Sequence, residues 1–212
     1  DGDNHHYYEL EINALGTEWD LFLVRPYRDG GPAINAWDIQ GLETAVSVDG
    51  TLNDPRDLDR GWSVEIAIPW DVLAQAAGRT VPPEPGDIWR VNFSRVQWEV
   101  RSVGGRYEKV LDPVTEKPLP EDNWVWSPQG LVAMHYPEMW GEVLFAGNGI
   151  GDFDAAPEHR SIAAAAVLMP VYYQQKRWFE DRGRFAASLA ELDLPGPDLP
   201  PAWDLSMETC GA

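Results

Sequence analysis

The chain has 212 residues, 44% of them hydrophobic, with 11 tryptophans, 18 prolines and 19 glycines, a composition that excludes a disordered polymer and favours one main all-β body of short elements plus an appendage. Against 16 Lys and Arg stand 35 Asp and Glu, a formal charge of -19 that repels phosphate polymers and anionic lipid surfaces, so nucleic acid is not expected as a partner. No apolar run reaches the ~18 to 20 residues of a membrane-spanning helix, and the lone Cys210 cannot form an internal disulfide.

Asp1-Gly2-Asp3-Asn4 is a turn sequence whose Asp1, Asp3 and Asn4 oxygens suit Ca²⁺, a hard cation, although a solvated turn is the commoner fate of such residues. Adjacent His5 and His6 would point to opposite sides of a strand and cannot chelate one ion together. Leu10 and Ile12 then share a face opposite Tyr7, Glu9, Glu11 and Asn13. Alternation resumes from Trp19 after a short connection through Gly16, which predicts an antiparallel hairpin with Glu9 and Glu11 as solvated charge on its wet face. Residues 25–32 form a turn-rich loop with Trp19 and Trp37 near its base, and residues 42–48 a strand closing in the Asp49-Gly50 turn. The acidic loop with Asp54, Asp57 and Asp59 reads as surface solvation.

Trp62, Val64, Ile66 and Ile68 line one face of the clearest strand, which makes Trp62 a core residue, and Pro69 ends it. Residues 70–77 read as a helix stopped by Gly78, and residues 88–100 as one long alternating strand. A long loop follows over residues 101–123. The next stretch, to Met139, also reads as loop, with Trp124 facing the core and Trp126 free to act as a platform; residues 140–145 close the body as a strand entered through Gly141. Beyond it lie a flexible glycine-rich connection and an alanine-rich helical segment over residues 155–194, with Leu168, Tyr172, Gln175 and Phe179 at helical spacing. Pro170 should kink or divide that helix and Gly183 cap it. The domains expected are a β body over residues 1–147, a helical appendage over 148–194 and a Pro-rich tail over 195–212.

Taken together, DNHHYYELEINALGTEWDLFL, VDGTLNDP, DRGWSVEIAIPW, WRVNFSRVQWEV and WSPQG followed by MHYPEMWGEVLF resemble the family 9 carbohydrate-binding modules and their DOMON-like relatives. The resemblance covers residues 1–145 and implies a mainly β protein, an antiparallel β-sandwich, here followed by a C-terminal helical appendage. It also implies strands ahead of the segment beginning at Asp1, so that a partner chain or a missing segment would complete the sandwich. The function implied is non-catalytic binding of an oligo- or polysaccharide by a secreted module, extracellular or periplasmic, associated with polysaccharide degradation or uptake. No cofactor is required, a structural Ca²⁺ being the one metal its acidic turns suggest.

Carried onto matching positions, the resemblance assigns sugar contacts to Trp98, Trp126, Gln129 and His135, with Asn92 and Arg95 behind them. These residue types fit that chemistry, because indole rings stack on the apolar face of a pyranose and planar polar side chains match its paired hydroxyls. No GxSxG, HExxH, Walker or Rossmann pattern occurs, so independent catalysis is not expected. Two other classes stand beside sugar binding. DOMON-like relatives can hold haem through Met and His, here Met134, His135 and Met139, although adjacent Met134 and His135 cannot both reach one iron axially. The module could also have lost sugar binding and serve as an interaction domain whose edges a partner completes. Residues 172–192 resemble, over that short stretch, type IV pilin-like proteins.

Overall fold

A computed structural model describes residues 6–130, 132–147, 157–192, 194 and 205–206. The elements in chain order are β1 (Tyr7–Ile12), β2 (Glu18–Leu23), β3 (Ala33–Ile34), β4 (Glu43–Asp49), β5 (Gly61–Ala67), α1 (Trp70–Leu73), β6 (Ile88–Val91), β7 (Ser94–Gln97), β8 (Val100–Val103), β9 (Arg106–Lys109), β10 (Asp122–Val125), β11 (Gly141–Leu144) and α2 (Pro157–Arg182). The protein is thus mainly antiparallel β with one main helix. Its described strands form the three-stranded sheet β1-β2-β3 and the two-stranded pairs β4–β5, β6–β11, β7–β10 and β8–β9. Two compact units result, one of residues 1–85 and 89–145, the other of residues 86–88 and 146–212.

The first unit is built around the expected β1–β2 hairpin, in register Tyr7↔Leu23 through Ile12↔Glu18. Its turn is tied by Asn13, whose Oδ1 accepts the amides of Leu15 (2.9 Å) and Thr17 (3.0 Å), while Gly16 supplies the left-handed φ of 74°. Both faces of the hairpin are covered. Tyr7, Leu21 and Leu23 pack with Ala33 and Trp140 on one side, and Tyr8 and Leu10 pack with Ile39, Val72 and Leu73 on the other. Leu21 and Leu23 are fully buried, each contributing roughly 1.5–3 kcal/mol of apolar burial. Tyr8 fixes α1, its hydroxyl donating to the Leu73 carbonyl (2.8 Å) and accepting the Ala76 amide (2.7 Å). The helix expected over residues 70–77 is accordingly shorter.

Other expectations need correction. The strand predicted over residues 88–100 is divided into β6 and β7, with β8 starting only at Val100, because the chain changes partners: β6 pairs with β11 and β7 with β10, and Asn92-Phe93 is the break. The long loop expected after it contains the β8–β9 hairpin, closed by Gly104 (φ 57°) and Gly105 (φ 78°), the backbone a two-residue hairpin turn requires. Trp62 is 40% exposed rather than core, since among the described strands β5 pairs only with β4 and the face it shares with Val46, Val48, Val64 and Ile66 is half open. Trp124, expected to face the core, is 68% exposed on β10.

In the second unit α2 runs unbroken through Pro170, so the proline does not divide it. Gly183 caps it as expected, with a left-handed φ of 67° and its amide on the Phe179 carbonyl (2.7 Å). The chain then folds back on the helix. Gln175 accepts the Ala186 amide (2.8 Å) and donates to the Ala186 carbonyl (3.1 Å), Phe185 stacks on Phe179 (4.8 Å), and the Arg182 guanidinium covers Trp178 (3.6 Å). Most of the tail over residues 195–212, and Asp1, Asp3 and Asn4 with their expected Ca²⁺, lie outside the described residues.

Candidate functional site

The β7–β10 ribbon pairs Gln97 with Asp122 and Arg95 with Trp124, so these four side chains share one face. The ladder extends one step further, the Trp126 amide donating to the Phe93 carbonyl (3.0 Å), and the two rings meet edge to face at 5.4 Å. A strip of Phe93, Trp126 and Trp124 therefore continues into Arg95 and Gln97. Its aromatics are the more exposed kind: Trp124 is held on a strand yet largely open, and Phe93 is 61% exposed. Beside Trp124, Arg95 Nη2 donates to Gln97 Oε1 at 2.6 Å, which fixes two planar polar groups against each other.

The six expected contact residues fall out differently within this frame. Arg95 belongs to the strip. Trp126 belongs to it in part: 47% exposed, it donates its indole N–H to the Val91 carbonyl (2.9 Å) and lies so close over Gly141 that a Cβ there would meet its ring at 2.6 Å. It is anchored as much as displayed. Asn92 sits in the strand break beside Phe93, its Oδ1 buried without a hydrogen-bond partner. Gln129 is buried, 4% exposed, with Nε2 likewise unpartnered, so it contributes to packing rather than to an open surface. Trp98 is half-buried and the Lys109 ammonium stands 3.2 Å over its ring, which occupies one stacking face. Trp124 and Phe93, absent from the expected set, are the open members. The pairing of Trp124 with Arg95 could have been read had residues 122–125 been recognised as a strand.

His135 lies in a different group. Its Nδ1 is 3.1 Å from the Tyr7 hydroxyl and 3.7 Å from Glu9 Oε2, and the Tyr27 ring meets it edge-on at 4.7 Å. Tyr7 and Glu9 are alternate residues of β1, while Tyr27 comes from the 3-10 turn Tyr27–Asp29. Glu9, expected as solvated charge, is half-buried, and its Oε2 lacks a hydrogen bond. Burial, with the charge of Glu11 added, pushes its carboxyl up to about 7. Burial drives the His135 imidazole down from its ordinary value and raises the Tyr7 phenol. Behind the group Arg28 pairs with Asp29 (3.2 Å) and with the buried Glu138 (2.9 Å), joining that turn to the 3-10 turn Pro137–Met139. Nothing local in the sequence announces this cluster, since 128 residues separate Tyr7 from His135.

Among the described residues no three His, Cys, Asp or Glu side chains converge as a metal site, and no helix is long and apolar enough to cross a membrane. The chain matches no protein-family model, no curated protein and no solved structure.

Proposed function

We propose that the protein is a non-catalytic carbohydrate-binding module of the family 9-like, DOMON-like kind, its first unit an antiparallel β-sandwich in that sense, and that the Phe93–Trp126–Trp124–Arg95–Gln97 strip contacts the sugar. One observation carries the reading: Trp124 stands open on a strand directly across from Arg95, itself hydrogen-bonded to Gln97. A pyranose presents an apolar face and a rim of hydroxyls, and an exposed indole beside planar donors and acceptors answers both. The ligand is an oligo- or polysaccharide and the setting extracellular or periplasmic, beside polysaccharide degradation or uptake.

A glycan array probed with the intact protein tests the proposal. Binding to at least one neutral glycan, quenched or shifted tryptophan fluorescence on adding it, and no Soret band in the purified protein are the expected results. A haem spectrum would favour the redox reading. Silence across the array would favour an interaction domain, for which the half-open apolar face of β4–β5 is the supporting observation.

A further inference from the structure

The His135 group lies outside the aromatic strip, and its chemistry points elsewhere. Three side chains able to exchange or hold a proton meet there: the Tyr7 hydroxyl at 3.1 Å and Glu9 Oε2 at 3.7 Å from the same imidazole nitrogen. The group joins distant parts of the chain, since Tyr7 and Glu9 belong to β1 and His135 to the segment between β10 and β11. That segment is held further by the Trp140 indole N–H, which donates to the Met134 carbonyl (2.6 Å), and by the edge-on contact of Trp140 with Tyr7 at 5.1 Å. We propose that Tyr7, Glu9 and His135 form a proton-operated latch that fastens the segment around Met134–Tyr136 to β1 through the Tyr7–His135 hydrogen bond while the Glu9 carboxyl is protonated, and loosens it when that proton leaves.

The surrounding charges decide the direction. From β1, Glu11 adds negative charge to Glu9, and from the turn Tyr27–Asp29 the Tyr27 ring feels both carboxylates. The cation of that turn, Arg28, stands against Asp29 and Glu138 and over the Tyr136 ring at 4.8 Å. With the Glu9 carboxyl protonated and the imidazole neutral, the forms that burial favours for each, the group carries no net charge; at 3.7 Å Glu9 Oε2 stands beside His135 Nδ1 without a hydrogen bond to it. Without the proton, a buried carboxylate faces an imidazole nitrogen with no hydrogen bond of its own and Glu11 nearby, a state that burial penalises. Tyr7 stays protonated throughout, its phenol raised further by the same burial. The closed state therefore loses its advantage as pH rises toward neutrality, which favours water entry and separation of His135 from β1.

Hydrogen exchange of the Trp140 indole N–H and the Met139 amide, corrected for intrinsic base catalysis, reads the latch directly. In the wild type, protection should fall by up to about tenfold per pH unit as pH rises from the ordinary carboxylate value toward the raised Glu9 midpoint of about 7, and level off above it. In Glu9→Gln, always neutral, protection should stay flat over the same range. Flat protection in the wild type, or an unchanged pH dependence in Glu9→Gln, overturns the proposal. Should the variant fold poorly, the carbon resonance of the Glu9 carboxyl in the wild type replaces it: a midpoint near neutrality is expected, and an ordinary carboxylate midpoint overturns the latch.

Discussion

Glu9 ties a residue-scale property to a measurable slope. Its carboxyl is raised from 4.5 to about 7 in the folded protein, so the folded state holds the proton more tightly than the unfolded chain. The stability this represents is fully present below the unfolded value and is lost as pH rises through the folded one. His135 acts in the opposite sense, its value lowered by burial, so its contribution is lost as pH falls below the ordinary histidine range. Thermal melts from pH 5 to 8.5 should show the Glu9 contribution as a decline in stability up to about pH 7 that levels off beyond it, and Glu9→Gln should flatten that decline; a wild-type melting temperature that rises steadily across the range would contradict it. The two tryptophans of the strip separate in the same way. Trp126→Ala, which removes an anchored ring, should cost about 2 kcal/mol of stability, less than for a fully buried indole. Trp124→Ala should leave the melting temperature nearly unchanged, because little of that ring is packed.

At the scale of elements, the strip depends on how β10 is seated. Trp126 lies over Gly141, the first residue of β11, and an added Cβ would also approach Ser127 at 2.7 Å. Gly141→Ala should therefore destabilise by about 1–3 kcal/mol, the usual cost of overpacking, and a neutral result in a denaturant titration would mean that the ring is not seated there. Local pattern made several elements legible: β1–β2, β4–β5 and β11 show period-two alternation bounded by turn residues, and Gly183 marks the end of α2. The Gly104-Gly105 turn was also written in the sequence, between VRSV and RYEK, and signals the hairpin that a long-loop reading overlooks. The division of residues 88–100 was not legible. Alternation continues across Asn92-Phe93, and only the exchange of partners from β11 to β10 breaks the strand. Residues 122–125 failed for a related reason: Asp, Asn and two bulky residues carry little strand signal until β7 lies beside them. Hence Trp126 was legible as a partly exposed ring, while Trp124 was placed on the wrong side.

The whole molecule adds a constraint that no single residue carries. A charge of -19 disfavours polyanionic ligands, and the strip offers aromatic faces with one guanidinium rather than a basic groove. Affinity for a neutral glycan should therefore change little with salt, and a steep fall of log affinity with log salt concentration would contradict this. The most direct test is calorimetric titration of the glycan with the wild type, Trp124→Ala and Trp62→Ala, the last removing a half-open tryptophan on β5. The account predicts that Trp124→Ala weakens binding by on the order of 1–3 kcal/mol, the scale of ring stacking on an aromatic, at an unchanged melting temperature, while Trp62→Ala binds as the wild type does. Equal binding by Trp124→Ala and the wild type would contradict it.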